Sequence, residues 1–267
     1  FDTNDSIQGL AGADTIHGRA GNDTLDGGLG SDSIHSQDGD DLLIGGTGES
    51  KNAAVSNSLY GANGDDVLIG GGNANSGERL DGGPGADLLL GGVAQEIIDD
   101  TGYDGRNSLL FGGAAADTLR MYGGAAAFAI GGAGNDRISG GLGAGIAKTR
   151  MVIGFSRSDG IETVDQLAPG STITIGGGTL YSNLSLEVSG GGLRLKTASS
   201  SYVYLSDWYS AAGGSGKSVS TLQVVIEGTQ KVGNGGPVRA SEKTVDVLPG
   251  SVEAASHEAS ASPTSLR

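Results

Sequence analysis

Along the first stretch of the chain a large aliphatic residue returns at every ninth position: Ile7, Ile16, Leu25, Ile34 and Leu43. Its neighbours are polar, as in Thr15-Ile16-His17 and Thr24-Leu25-Asp26, so these short segments carry the period of two that marks a strand. Alternation sends the aliphatic inward and its neighbours to solvent. The residues between the strands are rich in glycine, which permits positive φ and close backbone approach in a turn. A fixed repeat of turn and strand predicts a solenoid, each unit giving one side chain to a thin interior.

The turns share an aspartate. Asp5, Asp14, Asp23, Asp32 and Asp41 are spaced by nine without a slip, each two residues before its aliphatic. The unit is G-G-x-G-x-D-x-U-x, with U the aliphatic. Over residues 1 to 46 it resembles the nonapeptide of the repeats-in-toxin (RTX) family of haemolysin-type calcium-binding proteins. The resemblance implies an all-β chain built on a parallel β-roll, of bacterial origin and exported by type I secretion. Two nonapeptides would make one coil, so residues eighteen apart stack at the strand spacing of roughly 4.8 Å. Asp5 then lies over Asp23, Asp23 over Asp41, and Asp14 over Asp32.

Carboxylates stacked at that spacing repel by ~3 kcal/mol per pair at an effective dielectric of about 20, so the bare coil is unstable. A divalent cation reverses the sign. Ligands that are all oxygen, from carboxylates and flexible turn carbonyls, favour Ca²⁺ over zinc or copper, and Mg²⁺ holds its waters too strongly. The spacing gives three complete sites and predicts folding on calcium. Extracellular modules of this kind bind at about 10⁻⁴ to 10⁻³ M, so the chain would stay unfolded in a calcium-poor cytosol and fold after export.

After Ile44 the register fails. Asp66, Asp87, Asp117 and Asp136 head further units, as in Gly82-Gly83-Pro84-Gly85-Ala86-Asp87, but from Asp41 onward the aspartates step by 25, 21, 30 and 19. They are expected ligands without assigned partners. Segments near 47–60, 71–81 and 93–110 lack a clear period and must loop out if the solenoid is continuous. In Gly123 to Ile130 the liganding position falls on Phe128, which cannot chelate. Looped insertions commonly build binding surfaces or lattice contacts.

From about Met151 glycine thins and alternation lengthens. Strands are expected at Ser171 to Ile175, Leu184 to Val188, Leu193 to Lys196, Tyr202 to Leu205 and Leu222 to Ile226. The organisation that follows is a calcium-binding roll over 1–150, regular over 1–46 and interrupted over 47–150. A small C-terminal β cap over 151–227 would cover its open end. Trp208, the only tryptophan, would anchor that cap. The run from Tyr181 through Leu205-Ser-Asp-Trp208-Tyr to Leu222-Gln-Val-Val resembles the segment after the repeats in large haemolysin-type proteins. Residues 228–267 form a low-complexity tail whose composition alone implies disorder.

Composition narrows the class. Gly occurs 52 times and Pro 5 times, which argues against collagen and Pro-rich linkers, and aromatics at 4% leave no thick globular core. Asp plus Glu outnumber Lys plus Arg by 31 to 16, a net charge of −15, which turns away nucleic acid and anionic membranes and favours cations. Without cysteine neither a disulfide nor a thiolate zinc site is available, and metal is the staple that remains. No apolar run is long enough to span a membrane. Residues 1–8 begin inside a repeat, which leads us to expect more protein upstream.

Other chemistry is weak. Ala211-Ala-Gly-Gly-Ser-Gly216-Lys217-Ser218 fits a relaxed phosphate-loop pattern, but strand rather than helix is expected after it. His17 and His35 share one repeat position and would stack outward, solvated. His257 has no catalytic company, and no nucleophile-elbow or zinc-protease motif occurs, so no enzyme is expected within this fragment.

Two functions fit. One is an extracellular structural or adhesive protein, of a cell surface, surface layer or filament, making homo-oligomeric contacts. The other is the C-terminal folding and export module of a type I secreted hydrolase or toxin whose catalytic domain lies upstream. The tail suits an uncleaved export signal or an arm docking on a neighbouring subunit. Ice binding would need a regular Thr or Asn ladder, and the outward positions are too mixed.

Overall fold

The computed structural model describes residues 3–47, 55–71, 77–92, 95–101, 108–121, 126–140, 150–156, 159–167, 171–176, 184–189, 192–198, 200–206, 222–230 and 239–247. The first ten strands are β1 (Ser6–Gln8), β2 (Thr15–Ala20), β3 (Thr24–Asp26), β4 (Ser33–Asp38), β5 (Leu42–Gly46), β6 (Ser58–Asn63), β7 (Val67–Gly71), β8 (Arg79–Asp81), β9 (Leu88–Leu90) and β10 (Ile97–Asp100). There follow β11 (Leu109–Ala114), β12 (Thr118–Met121), β13 (Ala126–Ala133), β14 (Arg137–Gly140), β15 (Arg150–Ser156), β16 (Ile161–Asp165) and β17 (Thr172–Gly176). The last five are β18 (Ser185–Ser189), β19 (Gly192–Lys196), β20 (Tyr202–Leu205), β21 (Leu222–Gln230) and β22 (Arg239–Val247), and the described residues contain no helix.

The strands form two eleven-stranded sheets, with successive strands alternating between them up to β17. The first sheet runs β1-β3-β5-β7-β9-β11-β13-β15-β17-β21-β22; the second runs β2-β4-β6-β8-β10-β12-β14-β16-β20-β19-β18. Pairing is parallel along the roll: Leu25 pairs with Leu43, Leu43 with Leu68, Leu68 with Leu89 and Leu89 with Leu110. Coil length differs, 18 residues from Leu25 to Leu43 and 25 from Leu43 to Leu68, yet the register is kept. The additional residues fall between strands, where chain length is tolerated best. The expected parallel β-roll is therefore the fold.

Alternation explains the core. Leu25, Leu43, Leu68, Leu89 and Leu110 of the first sheet and Ile34, Leu59, Leu80, Ile98 and Leu119 of the second are fully buried. Each contributes about 1.5–3 kcal/mol by leaving water. Strands of three or four residues cannot stand alone, so the stack holds each coil through its neighbours.

Three segments expected to loop out as wholes do not. The stretches near 47–60, 71–81 and 93–110 hold the start of β6, all of β8 and all of β10. Leu59, Leu80 and Ile98 supply the buried aliphatic there; what is missing is only the marking aspartate. The sheets also run on past residue 150, with β15 parallel to β13, β16 to β14, β17 to β15 and β20 to β16. The five strands expected between 171 and 226 are β17 to β21. Antiparallel pairing enters only at β18-β19-β20 and β21-β22. The hairpin β18-β19 closes one end of the second sheet, and β22 lies in the stretch whose composition implied disorder. Trp208, residues 211–218 and His257 lie outside the described residues.

Candidate calcium sites

The residue two places before each inward aliphatic stands at an edge of the roll, where a turn enters the sheet. On the edge leading into the first sheet the register stacks Asp5, Asp23, Asp41, Asp66 and Asp87, then Ser108 and Ala127. On the other edge it stacks Asp14, Asp32, Asn57, Glu78, Glu96, Asp117, Asp136 and Glu162. The nine expected aspartates thus occupy one position of the coil, five on one edge and four on the other. The liganding position of the unit around Gly123 to Ile130 is Ala127, not Phe128, because Phe128 pairs with Leu109 as the first outward strand residue.

One hydrogen bond orients each carboxylate. The backbone N–H of an edge residue donates to the side chain one coil on: Asp5 to Asp23 at 2.8 Å, Asp23 to Asp41 at 2.7 Å, Asp14 to Asp32 at 2.9 Å, Asp66 to Asp87 at 2.9 Å and Asp117 to Asp136 at 2.8 Å. Each bond uses Oδ1. The other oxygen, Oδ2 of Asp14, Asp23, Asp32, Asp41, Asp66, Asp87, Asp117 and Asp136, is buried without a hydrogen-bond partner. Oε2 of Glu78 and both carboxyl oxygens of Glu162 are in the same condition.

Glycine makes room for these oxygens. A Cβ on Gly9 would lie 2.7 Å from Oδ2 of Asp14 and 2.6 Å from the carbonyl oxygen of Gly27, one coil on. Gly61 is pressed in the same way between Asp66 and the Gly82 carbonyl, and Gly112 between Asp117 and the Gly131 carbonyl. The space left by the missing side chain is where an orphaned carboxylate oxygen and a neighbouring carbonyl converge. Among the described residues no three His, Asp or Glu side chains come together, so backbone carbonyls have to complete any metal site. This all-oxygen donor set fits calcium, and burying unpaired carboxylates without a cation would be costly.

Burial dominates the acidity of the files. It pushes Asp66 and Glu78 up to about 7 and Asp87 up to about 8. Asp32, Asp41 and Asp117 are raised by the same cause. Glu162 is raised by burial and by the charge of Asp136, and Asp136 is itself raised by burial. A cation beside these groups would restore their ionised form.

On the second edge four residues were not marked by the aspartate repeat: Asn57, Glu78, Glu96 and Glu162. The signal was present for Glu96, since Gly91-Gly-Val-Ala94-Gln-Glu96-Ile-Ile98-Asp99 is a nonapeptide with Ala for the third glycine and Glu for Asp. Asn57 needs no ion. Its Oδ1 accepts from the Asp32 N–H at 2.9 Å and its Nδ2 donates to Glu78 at 3.0 Å, so a neutral amide bridges three coils. Ser36 stands where other units have their first glycine, and its hydroxyl donates to the Gly61 carbonyl at 2.8 Å. His17 and His35 do stack outward, with ring centroids 5.1 Å apart, and Tyr60 extends the stack at 4.7 Å.

Among the described residues no helix is long and apolar enough to cross a membrane. No curated protein matches the chain. The family described as the RTX calcium-binding nonapeptide repeat, in four copies, matches residues 1–34, 22–50, 56–77, 73–99 and 102–146. Those matches cover the two carboxylate files from Asp5 to Asp136 and leave Glu162 beyond them. With more than half of its length matched and its edges built in this way, the chain belongs to the family of RTX calcium-binding repeat proteins.

Proposed function

We propose that the chain is a calcium-folded structural or adhesive segment of the bacterial cell exterior, with no catalytic centre of its own. One observation carries the reading: in both files buried carboxylates, among them those of Asp14, Asp23, Asp32, Asp66, Asp87, Asp117 and Asp136, have an oxygen left without a protein partner beside a glycine. RTX repeat proteins are generally secreted. Asp14, Asp23, Asp32, Asp41, Asp66, Asp87, Asp117 and Asp136 would hold the ions, with glycine carbonyls such as those of Gly27 and Gly82. Bound calcium supplies the positive charge that turns repulsion within each file into attraction. The aligned carboxylates, glycine turns and inward aliphatics then fix the coil, and a linear scaffold with long outer faces results.

The test is a calcium titration followed by circular dichroism, with electron microscopy of the same samples. Strand signal should appear with millimolar calcium and vanish with chelator, and ordered assemblies should come and go with it. Strand signal indifferent to chelator would refute calcium folding. Dispersed particles in both conditions would refute the structural role and favour an export module.

A further inference from the structure

The two sheets present opposite chemistry to solvent. On the second sheet the outward positions are polar apart from Ile97, from Thr15 and His17 in β2 to Arg137 and Ser139 in β14, and Asp99 there pairs with Arg79 at 2.9 Å and with Arg120 at 2.7 Å. On the first sheet they are polar at the start, where Thr24 and Asp26 flank Leu25. From Leu42 and Ile44 in β5 to Phe128 and Ile130 in β13, every residue flanking the buried aliphatic is apolar. Leu109, on β11, is 42% exposed, and the other nine outward residues of these five strands are partly buried. Polar residues resume at Thr172 and Thr174.

We propose that this face is the docking surface for a second copy of the chain, the two first sheets packing face to face once calcium has folded the roll. The proposal rests on the calcium-folded reading above and names the contact through which a scaffold would assemble. Charge selects the face. The chain carries a net −15, its acidic files run along the edges, and the ten outward residues of β5 to β13 bear no charge at all. Two like-charged copies can approach there without opposing their carboxylates.

Period selects the partner. Side chains on this face repeat at the strand spacing of roughly 4.8 Å, and a second copy offers the same spacing, so ridges of one fit between ridges of the other with sheets about 10 Å apart. Five strands with two outward side chains each give an accessible patch of roughly 500 Å², or about 1,000 Å² over both copies. That lies at the lower limit for a specific interface, so association is expected in the micromolar range. A contiguous apolar patch of this size is in the range that is often functional on soluble proteins.

Sedimentation of the full chain in millimolar calcium, over a wide range of concentrations, tests the proposal. A monomer–dimer equilibrium is expected, weakened at least about tenfold by Leu109→Lys or Phe111→Lys, with strand signal retained. Since the chain has no cysteine, Phe111→Cys should form a disulfide-linked dimer on mild oxidation while Tyr60→Cys, on the other sheet, should not. A chain that shows full strand signal yet sediments as a monomer throughout overturns the proposal. So does a dimer indifferent to the lysine variants, equal cross-linking through Tyr60→Cys, or a monomer that binds phosphatidylcholine vesicles through this face instead. Strand signal that ignores chelator overturns the calcium reading alone.

Discussion

The edge that enters the first sheet runs out of carboxylates at Asp87, whereas the opposite edge keeps them to Glu162. Beyond Asp87 the first edge does not change its geometry. The Asp87 N–H donates to Ser108 Oγ at 3.2 Å, and the Met151 N–H donates to Ser171 Oγ at 3.2 Å, in the same one-coil step that elsewhere ends on a carboxylate. Asn57 does this on the other edge. The position thus takes a charged acceptor, a neutral one or, at Ala127 and Met151, none, and in the proposed reading calcium is needed only where the acceptor is charged. Hydrogen bonding and metal dependence are separable properties of one position.

Removing calcium should break the comparison most completely. Chelation leaves both files repelling, and strand signal should fall to that of a mostly unfolded chain. Hydrogen exchange should show protection lost across β1 to β14, and protection unchanged there would contradict the assignment.

Acid should substitute in part for the ion. Asp66 and Glu78 lie at about 7 and Asp87 at about 8, above their values in an unfolded chain. A raised folded value means that the group's contribution to stability is complete below about pH 4 and is lost as the pH rises through 7 to 8. The calcium-free chain should thus show more strand at pH 5 than at pH 9 by circular dichroism. With calcium present the sign reverses, since protons displace the ion.

Next come single positions. In calcium, Asp87→Asn should keep the bond from Asp66 but lose an ion ligand, lowering stability by about 2 kcal/mol, while raising the stability of the calcium-free coil. Ser108→Ala should lower it by about 1 kcal/mol with or without calcium, because only a neutral hydrogen bond is lost. Denaturant melts of both variants in both conditions would show whether charge and hydrogen bond separate in this way. The smallest effect belongs to Ser36→Gly, which opens the space beside Asp41 and should tighten calcium binding there a few-fold in calorimetry, by about 0.5–1 kcal/mol.

The coil and its core were legible because Ile7 to Leu43 keep one period and one face. The second edge was less so. Glu78 and Glu96 occupy aspartate positions, but Glu78 lies eight residues after Gly70 where Asp66 lies five after Gly61, and the longer turn hides the unit. The sequence before β15 opens on Gly140-Gly141-Leu142-Gly143 but carries no aspartate, and the sequence before β16 has no paired glycines, so no complete unit announced that the sheets continue. The apolar outer face was visible but ambiguous: Leu42-Leu43-Ile44 and Leu88-Leu89-Leu90 fit strands buried on both sides as well as strands buried on one. Only the pairing shows that the outer two residues of each face away from the core.

Parallel coiling also decides how the molecule bears load. Bonds such as that from the Thr24 N–H to the Asp5 carbonyl run between coils, along the long axis. Tension applied end to end opens them a few at a time, in the manner of a zip, so one coil detaches before the next is strained. If the files hold calcium as proposed, each coil that peels away gives up its share of the ions bound between neighbours. In the proposed calcium-folded state the surrounding calcium concentration would then set the force at which the chain lengthens.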